Sequence, residues 1–136
     1  MRTEDADGES HHDRPFIDLL DPTPAQARHA VIAALPADRL TEAQAAGLEL
    51  AVSEVVTNAI VHGRSPVVVR AYLPSTGGVI VTIRDAGPGP GRPPGDSLPT
   101  SDADGGRGWW ICRRSVDTID GRVDGDGYVV RLVVGG

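Results

Sequence analysis

The chain has 136 residues, of which 40% are hydrophobic and 4% aromatic, and its formal net charge is −6. This length and composition predict one compact domain whose core is built from aliphatic side chains. The acidic balance, without any basic stripe, argues against nucleic-acid binding, and no apolar run reaches the length of a membrane span. The single cysteine excludes an internal disulfide and fits a reduced, cytoplasmic setting. Every basic residue is arginine, so a phosphate loop that depends on lysine is excluded.

Residues 1–15 predict a disordered acidic tail, because they combine several carboxylates with no apolar periodicity. The domain then occupies residues 16–136 and opens with a short strand at residues 16–20. Two capping boxes, each a threonine followed three residues later by glutamine, mark helix starts. They predict helices at residues 23–35 and 41–63, the second of which ends at a terminating glycine.

Beyond residue 66 the apolar pattern changes to a two-residue period, which predicts strands. In the second of them, Asp85 ends a row of apolar residues on the covered face of the sheet, an unusual place for a carboxylate. A loop at residues 90–104, rich in Gly, Pro, Ser and Asp, is long enough to be a functional lid or a disordered segment. The predicted strands are residues 67–73, 79–85, 118–123 and 128–134, and a helix is predicted at residues 109–115.

The long second helix carries a row of polar side chains beside its apolar stripe. Glu54, Asn58 and His62 are four residues apart, so they stack along one face. Taken alone, these side chains are explained as solvated surface residues. The functional alternative is that Glu54 accepts a proton and Asn58 offers an oxygen to Mg²⁺. The buried face is predicted from the helical spacing of Leu48, Val52, Val55 and Ala59.

Two glycine-rich segments follow the second strand of the sheet. Gly87 and Gly89 come just after Asp85 and allow a flat base to lie against the backbone, while the carboxylate accepts a hydrogen bond from an exocyclic amine. Gly106 and Gly108 stand at a predicted helix start, where bare N–H groups and the helix dipole favour phosphate. Each segment alone occurs by chance in glycine-rich chains, but their order along the chain is more specific.

In this order the motifs resemble those of the GHKL (histidine kinase-like) ATPases. Glu54 and Asn58, followed by His62-Gly63, are similar to the N box of that family. Residues 85–89, Asp-Ala-Gly-Pro-Gly, resemble its first glycine box, and residues 106–108, Gly-Arg-Gly, its second. The short lid and the wording of residues 53–58 are most similar to the anti-sigma regulatory subgroup, the RsbW and SpoIIAB-like serine kinases.

The resemblance covers residues 16–134 and implies an α/β fold (an α+β two-layer sandwich) of the Bergerat type. Its sheet would be mixed and mostly antiparallel, with helices on one face. The resemblance also implies ATP and Mg²⁺ as cofactors, with a sigma factor or a STAS-type antagonist as partner and a possible homodimer. By position, Glu54 would act as the base and Asn58 would bind the metal. The implied nucleotide contacts are Asn58, Asp85, Gly87, Gly89, Gly106, Arg107 and Gly108.

Two positions depart from the family pattern. Trp109 and Trp110 follow the second glycine box where leucine is usual, and they either fill the core or narrow the mouth of the pocket. Tyr128 stands where the family often has a threonine that supports adenine binding. We expect an anti-sigma regulator that binds ATP and phosphorylates serine or threonine of an anti-sigma antagonist. The alternatives are a non-catalytic ATP-dependent switch module and an ATPase that works beside a separate sensor protein.

Overall fold

The computed structural model describes residues 14–89 and 112–135. Residues 112–115 are helical, and the predicted tail up to residue 13 and the predicted lid at residues 90–104 lie outside the described residues. Every predicted element within these ranges is present, with ends shifted by no more than one residue. The elements are β1 (Ile17–Leu20), α1 (Pro24–Ala34), α2 (Glu42–His62), β2 (Val68–Tyr72), β3 (Val79–Asp85), β4 (Thr118–Asp124) and β5 (Gly127–Val134).

The five strands form one sheet in the order β1-β2-β3-β5-β4, and each described pairing is antiparallel. One face of this sheet shares a single buried apolar cluster with α1 and α2. The predicted two-layer α+β sandwich is therefore confirmed. β3 lies at the centre of the sheet, and its last residue, Asp85, is the cross-strand partner of Tyr128 on β5.

Both helices begin at the capping boxes that the sequence predicts. On α2 the Thr41 hydroxyl accepts from the Gln44 N–H at 3.0 Å, and the Gln44 side chain accepts from the Thr41 N–H at 2.9 Å. The same reciprocal pair joins Thr23 and Gln26 on α1. Such caps satisfy N–H groups that have no partner inside the helix. The buried face of α2 contains the predicted stripe and is formed by Leu48, Ala51, Val52, Val55, Val56 and Ala59.

Arg39, in the connection between the helices, joins the helical layer to the β2–β3 hairpin. Its Nε donates to the carbonyl oxygen of Gly78 at 2.8 Å, and its Nη2 donates to the carbonyl oxygen of Pro74 at 2.5 Å. Hydrogen bonds from a charged donor are among the stronger ones in proteins. The guanidinium therefore fixes the hairpin at the end of β3 that lies away from Asp85.

Within the described ranges, no helix is both long and apolar enough to cross a membrane.

Candidate functional site

The carboxylate of Asp85 is buried at the end of β3. The residue is 7% exposed, and no other carboxylate of the described residues is buried. Its Oδ1 accepts a hydrogen bond from the Gly87 N–H at 2.6 Å. Within residues 14–89 and 112–135, no donor contacts Oδ2 and no cation pairs with the group. Because a buried carboxylate costs free energy unless it is hydrogen-bonded, the second oxygen is an acceptor suited to a donor from a ligand.

Gly63 and Gly87 lie directly against this carboxylate. A Cβ atom built on Gly63 would be 2.5 Å from Oδ1 and 2.6 Å from Oδ2, and one built on Gly87 would be 3.0 Å from Oδ1. Gly63 caps α2 with φ of −98°, a value open to other residues, so the contact rather than the backbone angle requires glycine. The Ala86 N–H donates to the Arg64 carbonyl at 2.8 Å and fastens the segment after β3 to the end of α2.

The predicted polar face of α2 runs along the helix toward the contact between Gly63 and Asp85. Glu54 and Asn58 are half-buried and one turn apart, whereas His62 is exposed. From Glu54 to Gly63 the helix rises by about 13 Å. One helix therefore carries the predicted proton acceptor, the predicted Mg²⁺ ligand and the glycine that touches Asp85, in that order. No group of three or more His, Cys, Asp or Glu side chains is placed to hold a metal in the described parts of the chain.

Asn58 and the carboxylate of Asp85 suit the cofactors that the sequence predicts. Mg²⁺ commonly keeps several waters and takes few protein oxygens beside substrate phosphates, so a lone amide oxygen fits its requirements. The glycine contacts around Asp85 form a cradle that any Cβ atom at residue 63 would fill. The residues present are therefore compatible with Mg²⁺ and with a nucleotide base that carries an exocyclic amine.

The described helical residues 112–115 pack against the same helix. The Cys112 Sγ lies 3.8 Å from the carbonyl oxygen of Ala51, and a Cβ atom on Gly47 would overlap the carbonyl oxygen of Ser115. Burial, together with the negative charge of Glu54, raises the pKa of the Cys112 thiol from 9.0 to about 12. The chain that follows the second glycine segment thus passes close to Glu54. The sequence signal for this neighbour was the cysteine's position in a predicted helix, which alone does not identify its contact.

The two glycines of the first glycine segment have different partners. Gly87 lies on Asp85, whereas a Cβ atom on Gly89 would lie 2.5 Å from Cδ1 of Tyr128. Gly89 also has φ of +85°, which favours glycine for a second reason. The segment therefore contacts two adjacent side chains of the central strands.

Other predicted contacts fall outside the described residues. Gly106, Arg107 and Gly108 are the predicted phosphate-binding residues, and Trp109 and Trp110 follow them. Their roles stay predictions.

The chain is similar to one known protein family. A family model described as the histidine kinase-like ATPase domain matches residues 20–134, which include Glu54, Asn58 and Asp85. No curated protein matches the chain. ATP binding is the property that a domain of this kind implies. Because the match covers most of its length, the chain belongs to the family of histidine kinase-like ATPase domains.

Proposed function

We propose that this chain is an ATP-binding anti-sigma regulatory protein with serine/threonine-protein kinase activity. It phosphorylates an anti-sigma antagonist and controls transcription by sequestering a sigma factor. Family membership supports the ATP-binding part of this proposal. The observation that carries the kinase part is the position of Glu54, half-buried and one helical turn before Asn58 on the helix whose C-terminal Gly63 contacts Asp85.

The base of ATP is held at Asp85 in this proposal. Oδ2, to which no described residue donates, accepts a hydrogen bond from the exocyclic amine, while Oδ1 stays fixed by the Gly87 N–H. Gly63 leaves the approach to the carboxylate clear of a side chain. Asn58, nearer the middle of α2, binds the Mg²⁺ that accompanies the phosphates. Gly106 to Gly108 supply the N–H groups for those phosphates, as the sequence predicts.

Glu54 acts as the general base for phosphoryl transfer. It accepts the proton of a serine hydroxyl on the partner while the serine oxygen bonds to the transferred phosphorus and the bond to the leaving ADP breaks. Among the described residues, Glu54 takes part in no salt bridge. Cys112, beside it, keeps its own proton because its pKa is about 12.

A phosphate-transfer assay tests the proposal. Partners are isolated from native cytosol on the full chain with Mg-ATP and then incubated with radiolabelled ATP, while calorimetry measures ATP binding separately. Glu54→Ala is expected to bind ATP and partner but to transfer phosphate about 10²–10⁴-fold more slowly. Asn58→Ala is expected to lose Mg-ATP binding and transfer together. Glu49→Ala, on the same helix as Glu54, removes only a weak surface pair with Arg28 of α1; it is the control and should retain both.

The outcomes separate the proposal from its alternatives. Wild type that binds ATP and partner without transfer, and Glu54→Ala that behaves identically, would replace the kinase with a non-catalytic switch module. Release of free phosphate without labelling of the bound partner would instead support an ATPase that works beside a sensor protein. Failure of wild type to bind ATP would contradict the proposal at its first step.

A further inference from the structure

Tyr128 lies beside Asp85 on the covered face of the sheet. The two residues are direct cross-strand partners on β3 and β5, so their side chains project from the same face. Tyr128 is 9% exposed. Burial, followed by the negative charges of Asp120 and Asp85, raises the pKa of its phenol. The phenol is therefore neutral and within electrostatic range of the carboxylate.

Two glycines from different parts of the chain make room for this side chain. On one side, a Cβ atom on Gly89 would lie 2.5 Å from Cδ1 and 3.0 Å from Cε1 of the ring. On the other side, a Cβ atom on Gly121 of β4 would overlap the Tyr128 hydroxyl. The ring thus fills the gap between the segment after β3 and the surface of β4, and a Cβ atom at either boundary would require the ring to move. Glycine inside a strand commonly marks such a close approach.

The segment of residues 86–89 therefore rests on two supports. At Gly87 it is fixed to Asp85 by the 2.6 Å hydrogen bond, and at Gly89 it lies against the Tyr128 ring. Tyr128 lies at the edge of the buried part of this sheet face, since Val123, its cross-strand partner on β4, is 63% exposed. Removal of the ring would take away the side chain whose atoms lie nearest to a Cβ atom built on Gly89.

We propose that Tyr128 is a positioning residue that sets the base specificity of the nucleotide site, and this rests on the function proposed above. Its ring supports Gly89 and so holds residues 86–89 at the position where a base meets Asp85. With the ring in place, a purine that donates a hydrogen bond from its 6-amine to Asp85 is held in a single position and orientation. Without it, the segment shifts and a purine that lacks the amine is tolerated almost as well.

The test compares the dissociation constants of ADP and inosine diphosphate by calorimetry on the full chain. Wild type should prefer ADP by about tenfold or more, since hydrogen bonds to charged groups are strong. Tyr128→Val should lower that preference by about fivefold or more. Tyr128→Phe keeps the ring and should retain the wild-type preference. Val123→Ala, on the exposed neighbour, is the control and should also leave it unchanged.

A second variant approaches the ring from the opposite side. Gly121→Ala pushes against the hydroxyl and should lower the ADP preference as Tyr128→Val does, but it should add nothing in the Tyr128→Val background. Circular dichroism and thermal unfolding identify any variant that does not fold. If Tyr128→Val does not fold, the ADP preference of Gly121→Ala tests the inference instead. An unchanged preference in folded Tyr128→Val or Gly121→Ala overturns this inference and leaves the ATP site standing. Wild type that binds neither nucleotide overturns both.

Discussion

Gly63 and Asp85 meet so closely that a side chain at residue 63 is incompatible with the observed position of the carboxylate. This contact joins the end of α2 to the end of β3. It fixes the helix that carries Glu54 and Asn58 relative to the buried acceptor on the sheet. The separation of the two halves of the candidate site thus depends on a glycine whose backbone angle alone is ordinary.

Gly63→Ala should therefore impair the site through sterics alone. The added methyl group displaces the Asp85 carboxylate or the end of α2, and overpacking of this kind costs about 1–3 kcal/mol in the free energy of unfolding. We expect ADP affinity to fall by about tenfold or more, because the displaced acceptor no longer meets the amine. Calorimetry and urea unfolding measure the two effects. His62→Ala, at the exposed neighbouring position, should change neither quantity.

Asp85→Asn should abolish most nucleotide binding while leaving the fold intact. An amide at this position can turn an N–H toward the amine, so two donors face each other, and the lost charged hydrogen bond is worth about 1.5–3 kcal/mol. Titration of ATP and ADP by calorimetry gives the measurement. Asp18→Asn, an exposed carboxylate that pairs with Arg70 on the other face of the sheet, is the matched control. ATP binding by Asp85→Asn at wild-type affinity would contradict the assignment of the base site.

The buried stripe of α2 can be tested with two leucines on one helix. Leu48 is fully buried, whereas Leu50 is 43% exposed. Leu48→Ala should lower the free energy of unfolding by about 2–5 kcal/mol, because the removed methyl groups leave a cavity in the core. Leu50→Ala should change it by no more than about 0.5 kcal/mol. Urea unfolding followed by circular dichroism makes the comparison, and equal losses would mean that α2 faces the core differently.

Cys112 gives a prediction about pH. Its thiol has a folded pKa of about 12, above the ordinary 9.0, so the stability that comes from keeping it protonated is complete below pH 9. As the pH rises above 9.0 toward the folded value, the unfolded chain releases this proton first and the contribution is lost. Between pH 9 and pH 10 wild type should lose about 1 kcal/mol more than Cys112→Ala. Parallel urea titrations at the two pH values measure this, and parallel losses in both proteins would show that the thiol is not buried beside Glu54.

Local chemistry explains why the elements of this fold were predictable from sequence. Capping boxes at Thr23 and Thr41 mark the helix starts, and alternation of apolar residues marks β3 and β5, because each signal arises within a few neighbouring residues. The burial of Asp85 also followed from its place at the end of an alternating row. Contacts between distant segments were not predictable in this way. Gly63 reads as a helix terminator, and its contact with Asp85 exists only after the helix packs on the sheet.

The same limit applies to Tyr128 and Cys112. A glycine at residue 121 within a strand signals a close approach, but only the pairing of β4 with β5 shows that Tyr128 fills the space. Cys112 follows the second glycine segment in sequence, yet its position near Glu54 depends on how residues 112–115 pack on α2. Spacing along the chain therefore predicted the motifs, and packing between elements determines which side chains accompany them.

The two hydrogen bonds of Arg39 also indicate where a label or a surface tether can be attached to the molecule. They hold the β2–β3 hairpin at the start of β3, about 20 Å along the strand from Asp85. Ser75 and Thr76, at the tip of this hairpin, are exposed. A fluorescent dye or a surface tether attached through a cysteine introduced at residue 75 or 76 would sit on a braced turn. Such a tether leaves the end of the sheet at Asp85 away from the surface, which suits single-molecule and surface-based binding measurements.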